Sequence, residues 1–309
     1  MLAAGSAGAA LASENLSDTS LAMKATYLVS DSSITPDKEI GWKGLLTGLK
    51  GFEHFYNPVG SPIYFENPFN STEVRLLYLH HEFASKSQLA GGHLDVFAAQ
   101  IRLAITERLG FIATKDGYSQ LRANALPRDE GWNDLAFGFK YVFWVDREND
   151  FVVTGGFRYQ AGNGSGKVLQ GGCQEVSPFI TFAKGWDKFH LIADVSDRIP
   201  LDNDKGNNVV QWDIHADYEI YKGIAPMLEL HGLHYCSNGT RTPLSVGGLD
   251  YTNLGSTDVA GSTVIWAGLG ARFKLSPNFS LGATYEMNLG NRKADIMDKR
   301  VTVDFVFTW

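Results

Sequence analysis

The stretch LHGLHYCSNGTR, residues 230–241, gathers His231, His234, Cys236 and Ser237 within a few positions. An imidazole beside a hydroxyl can take its proton and turn the oxygen into a nucleophile. Spacing decides whether it does. His234 and Ser237 are three apart, and on a strand such residues face opposite ways unless a bulge intervenes. His234 and Cys236 do share a face. The plainer reading is a strand that ends in an Asn238-Gly239 turn. A hydrolase working through His234 and Ser237 is therefore the alternative, not the first expectation.

A second constellation is charged and spread over many segments. Alternation places Arg102, Lys140 and Arg158 on one face of early strands, and Glu175, Asp194, Asp213, Asp217, Glu219 and Glu229 on the same face of middle ones. Arg272 and Lys274 follow, then Glu286 and Asp304. Enclosed in a barrel, such walls of opposite sign would set up a transverse field acting on polar solutes. They could equally pair across the lumen and fill it. The sequence leaves both open. His80, His81, His190, His215 and His231 lie on separate segments and read as wall residues, not as a metal site. No cofactor is implied.

The elements that would carry these residues are strands. VVQWDIHADYEI (209–220) and NFSLGATYEMNL (278–289) alternate apolar and polar side chains at every second position. The terminal VTVDFVFTW puts Val301, Val303, Phe305, Phe307 and Trp309 on one face. Twelve such segments are expected: 73–83, 93–105, 107–115, 134–146, 150–161, 175–184, 187–198, 208–221, 223–235, 260–274, 278–290 and 299–309. Tight links such as Thr106-Glu107, Gly185-Trp186 and Lys222-Gly223 alternate with long ones at 116–133, 162–174, 199–207, 236–259 and 291–298. Short turns at one end and long loops at the other are the mark of a transmembrane antiparallel up-and-down β-barrel. That places the chain in the outer membrane of a Gram-negative-type bacterium, among outer-membrane lipids. The alternating C-terminal strand resembles the signal read by the barrel assembly machinery.

Composition agrees. Of 309 residues, 33 are Gly, 12% are aromatic and 20% are charged, a balance tilted towards strands and turns. Mean hydropathy is −0.13, and no apolar run is long enough for a membrane helix. A net charge of −7 argues against nucleic acid as a partner. Cys173 and Cys236 are too few for a disulfide framework. Both fall at the external rim, where a bridge between two loops is one of the open outcomes.

The N-terminal part differs. Residues 1–12, small and apolar with Ala10-Leu11-Ala12, read as a truncated signal peptide or a small-residue tail. Residues 13–72 form a periplasmic extension or plug ahead of a barrel over 73–309. Within it Trp42, Leu45, Leu46, Leu49 and Phe52 predict a short amphipathic helix over 39–55, weakened by Gly44, Gly48 and Gly51.

GWNDLAFGFKYVFW (131–144), followed by GGFRYQAGNGSGKVLQGGCQEVSPFITFAKGW (155–186), resembles the outer-membrane family named for the MetA pathway of phenol degradation. The matching positions are Gly131 and Asp134, the Gly-rich loop from Gly162 to Gly172, and Pro178. Gln160-Ala161-Gly162 departs from the family's Pro-Thr-Gly loop start. The resemblance implies a barrel that passes small, aromatic or hydrophobic compounds, and it supplies no catalytic residue. The His234–Ser237 region is, by contrast, only loosely similar to the His-x-Ser-Asn order of outer-membrane phospholipase A. The expected function is thus a channel for small solutes. A lipid hydrolase or a filled structural barrel are the alternatives.

Overall fold

The computed structural model describes residues 45–290 and 296–309. The signal-peptide reading, most of the extension before Leu45 and part of the last long loop lie outside these residues. Fourteen strand segments follow one another: β1 (Glu73–Phe83), β2 (Gly92–Ala104), β3 (Leu109–Ala113), β4 (Gly117–Ala123), β5 (Asp129–Trp132), β6 (Ala136–Asp146), β7 (Phe151–Gln160), β8 (Glu175–Trp186), β9 (Phe189–Pro200), β10 (Val209–Tyr218), β11 (Ile224–Tyr235), β12 (Thr263–Ser276), β13 (Phe279–Asn288) and β14 (Met297–Thr308). Each pairs antiparallel with its neighbour, and β1 pairs with both β14 and β2, which closes the sheet. β3 and β4 lie end to end along β2, and β5 and β6 likewise make one interrupted wall strand. The result is a closed barrel of twelve antiparallel wall strands.

Closure removes every edge, so each backbone group in lipid finds a partner within the sheet. The outward face is apolar: Ile180, Leu228 and Leu269 stand more than half exposed in mid-strand. Trp186 against Phe189, Phe279 against Phe305, and Phe307 against Trp309 ring the short-turn end. Tyr118 and Trp132 meet edge to face at the other end. Aromatic girdles bounding an apolar band are what the two membrane interfaces select. Val301, Phe305, Phe307 and Trp309 face outwards as the alternation requires.

Two expectations fail. The link 116–133 is not a plain loop, because residues 117–132 carry the β4–β5 hairpin that extends the wall beyond the bulged Thr114-Lys115-Asp116. No helix forms over residues 45–55. Leu46, Gly48 and Gly51 hold positive φ there, a conformation that breaks a right-handed helix. A side chain at Gly48 would collide with the Asn70 carbonyl.

Leu269 sits at the centre of β12, opposite Leu228 on β11. Leu269→Arg should cost about 2–4 kcal/mol of barrel stability, read as a lowered urea midpoint in lipid vesicles, whereas Leu269→Val should leave the midpoint nearly unchanged.

Candidate functional site

Residues 58–70, PVGSPIYFENPFN, are all buried and carry no regular ladder of their own. They run through the barrel interior. Buried irregular chain must find a partner for each peptide group, and here the wall side chains supply them. Arg272 donates to the carbonyls of Asn57 (2.8 Å) and Pro58 (3.4 Å), and Arg75 to that of Val59 (3.0 Å). Glu229 accepts from the N–H of Val59 (2.8 Å) and Gly60 (2.7 Å). Gln100 donates to Pro62 O (2.6 Å), Thr154 to Pro68 O (2.5 Å), and Lys140 to Asn67 O (3.1 Å) and Phe69 O (2.6 Å). Pro58, Pro62 and Pro68 have no N–H to satisfy, which lightens the demand on the wall.

Glu66 is the plug's own charge. Arg102 grips its two oxygens at 2.8 and 2.9 Å, Lys140 reaches it at 2.8 Å and Arg158 at 3.4 Å. Three strands, β2, β6 and β7, thus converge on one carboxylate. Burial would raise its pKa, but Arg102 and Lys140 outweigh burial and hold it well below the usual carboxylate range.

Around this centre the wall charges pair by register. Glu73 stands opposite Arg102 (3.1 Å), Asp213 opposite His231 (2.7 Å), Glu229 opposite His215 (2.9 Å), and Glu286 opposite Arg300 (2.6 Å). Gly282 lies between Arg272 and Asp304 in one row of the sheet. Without a Cβ there, Arg272 crosses β13 to reach Asp304 at 2.8 Å; an added Cβ would sit 2.8 Å from the guanidinium. Asp194 and Arg158 are not satisfied in this way: both Asp194 oxygens, and Nε and Nη1 of Arg158, have no hydrogen-bond partner, as is true of both His81 ring nitrogens and of Arg75 Nε.

The filling is layered. Towards the long-loop end, Leu79, Leu94, Val96, Leu233 and Trp266 form an apolar layer with Ile63 and with Val246, Leu249 and Tyr251 of loop 236–262. That loop turns into the mouth, where Arg198 holds Leu249 O at 2.6 Å and Arg300 holds Asp250 at 2.7 Å. Towards the short turns, Phe52, Phe55 and Phe69 pack on Val142, Val152, Ala183 and Ile192. Between the two lies the charged middle. Two internal cavities, one beside Arg75 and Arg102 and one beside Leu79 and Tyr251, measure about 10 Å³ each, room for about one water.

Of the residues marked by alternation, Arg102, Lys140, Arg158, Glu175, Asp194, Asp213, Asp217, Glu229, Arg272, Glu286 and Asp304 all face inwards and are buried. Glu219 lies past the end of β10 and accepts from the Tyr56 hydroxyl. Lys274 sits near the same mouth, over the Tyr56 ring at 3.9 Å. The lumen is not an open field between charged walls, because the plug and the pairing neutralise it locally. Arg75, Arg198, Arg300 and Glu66 were missed. Arg75 and Arg300 lie on the polar alternation of strands already recognised, but Glu66 belongs to a segment without periodicity.

The His234–Ser237 pair does not form. His234 bonds Thr263 (2.9 Å), while Ser237 accepts from Asn208 N (3.0 Å). Cys173 and Cys236 are free thiols, one buried and one exposed. Burial pushes the Cys173 thiol up to about 12, which removes it as a nucleophile at neutral pH.

Among solved structures, an outer membrane channel from Pseudomonas putida F1 shares the fold with a TM-score of 0.60 at 12% identity, over 82% of this chain and 100% of that one. The NanC porin gives 0.48 at 10% identity, covering 77% and 100%. The KdgM porin in complex with disordered oligogalacturonate gives 0.46 at 13% identity, covering 76% and 99%. No family model and no curated protein matches the chain. The likeness concerns the fold. The resemblance to the MetA-pathway family therefore rests on the residues that carry it. A closed antiparallel barrel with a lipid-facing belt is an outer-membrane protein of a Gram-negative-type bacterium.

Removing the Glu66 charge leaves three buried cations short of a partner. Glu66→Gln should destabilise the folded barrel by about 3–5 kcal/mol, measured by urea unfolding. The folded-state pKa of Glu66 is depressed, so its contribution is present above the unfolded carboxylate pKa of about 4.3. The stability gap between wild type and Glu66→Gln should be full at neutral pH and shrink as acid takes the pH down through that range.

Proposed function

We propose that the protein is an outer-membrane channel for small solutes, occluded in this state by residues 45–72 from within and by loop 236–262 from outside. One observation carries the reading: residues 58–70 meet the wall through side chains, and the backbone bonds to it lie at the ends of the segment, Leu46 N to Ala104 O and Trp309 N to Thr72 O, so the middle of the plug is not paired into the sheet and can leave an intact barrel behind. Eight-stranded barrels fill with their own side chains, and sixteen-stranded ones enclose an aqueous channel. A barrel of twelve lies between, and here the interior is completed by the two inserted segments. Their withdrawal would open a passage.

The apolar layer beneath loop 236–262 supports small aromatic or hydrophobic compounds as permeants, in line with the resemblance noted above. The filled lumen also favours a second reading, a structural barrel that never conducts. The two differ in one measurable respect.

Phe52, Phe55 and Phe69 anchor the plug at the short-turn end, and each truncation to Ala should cost about 3–5 kcal/mol of that packing. The triple variant Phe52→Ala/Phe55→Ala/Phe69→Ala, folded in a planar bilayer, should show discrete conductance steps far more often than wild type. A silent triple variant, with the barrel shown to be folded, would favour the structural reading.

A further inference from the structure

Glu66 is over-provided with positive charge. A structural anchor needs one cation, yet Arg102, Lys140 and Arg158 come from three separate wall strands to the same carboxylate. Glu73 shares the load through Arg102 at 3.1 Å, and Asp194 lies within electrostatic reach of Arg158 and Lys140 without bonding either. Arg158 is 2% exposed and still has two N–H groups, Nε and Nη1, without a partner. Its guanidinium lies over the Phe179 ring at 4.3 Å, which fixes the plane in which those donors point. Lys140 spends its other bonds on carbonyls of the plug itself, at Asn67 and Phe69. When the plug withdraws, the wall keeps a cradle of three cations with most of its donors free. Planar guanidinium forks and a lysine converging on one point are suited to a carboxylate.

We propose that this cradle is a binding site for the carboxylate of a small permeant, that Glu66 occupies it as a built-in surrogate, and that a carboxylate-bearing solute releases the plug by taking its place. The inference rests on the channel reading and names its substrate class. The cradle itself indicates the kind of solute, since the Phe179 ring lies against the Arg158 guanidinium at 4.3 Å and offers an apolar wall beside a bound carboxylate. Small aryl and alkyl monocarboxylates are the expected class. Because Glu66 is tethered, it competes at an effective concentration on the order of millimolar or above. Free carboxylate should therefore act at concentrations on the order of millimolar and above.

The test uses the full-length protein in a planar bilayer at constant ionic strength and neutral pH. Replacing chloride by acetate or benzoate should raise the open fraction of wild type several-fold. Benzyl alcohol and methylammonium chloride should not. Glu66→Gln should open more often in chloride and lose most of the response to carboxylate. Lys140→Gln keeps the Arg102–Glu66 grip and should weaken the response, which preserves the test if Glu66→Gln does not fold. Openings of wild type that are the same in chloride, acetate and benzoate would overturn the proposal while leaving the channel reading intact. Silence of folded wild type and Glu66→Gln in every salt would overturn both.

Discussion

Thirteen consecutive residues of irregular chain lie buried inside this barrel, and the need to satisfy their peptide groups governs the interior. Water cannot serve there as it would on a surface loop. The wall answers with long side chains whose heads reach the plug: Arg272 and Arg75 on its carbonyls, Glu229 on its N–H groups, and Lys140 on both a carbonyl and a carboxylate. Those charges are themselves costly to bury. They pair with one another along the rows that strand register creates, as Glu286 does with Arg300 and Asp213 with His231. A charged lumen, seen this way, is first a means of holding a polar backbone in a confined space. Its use in selecting solutes would follow only once the backbone has moved.

On the channel reading, the same constraint lets the plug be well held and still leave. Apolar packing at the short-turn end, through Phe52, Phe55 and Phe69, is non-directional. The polar grip in the middle is directional, and each of its bonds can be exchanged for one to water or to a solute. A plug stitched into the sheet by strand pairing would have no such alternative partners. Loop 236–262 is held at the other end by the same kind of contact, with Arg198 on Leu249 O and Arg300 on Asp250.

Much of the wall was legible in the sequence because a strand has a period of two, and lipid and lumen impose opposite demands on its faces. β1 is found at residues 73–83 as read, and the inward positions of Arg102, Asp194, Asp213 and Glu229 follow from alternation alone. The β4–β5 hairpin reads as loop in the sequence because its two strands are short and a bulge at Thr114-Lys115-Asp116 breaks their continuity with the rest. The plug was harder. Its residues obey neither period, and near-helical spacing of Leu45, Leu49 and Phe52 pointed to a helix that the positive φ angles of Leu46 and Gly48 forbid. Pro58, Pro62 and Pro68 were the available signal, three residues without an N–H in a segment about to be buried. Glu66 could not be singled out, because its partners come from three strands distant in sequence.

The central claim, that the plug must move for anything to pass, can be tested by tethering it. Gln211 on β10 lies 2.8 Å from the Ser61 hydroxyl of the plug. With Cys173 and Cys236 replaced by Ser, the pair Ser61→Cys/Gln211→Cys should be joined by a short bifunctional methanethiosulfonate, whose span stands in for the length of the Gln side chain. Conductance in a planar bilayer should vanish in the cross-linked protein and return on reduction. Currents that persist unchanged in protein whose cross-link has been verified would contradict the account.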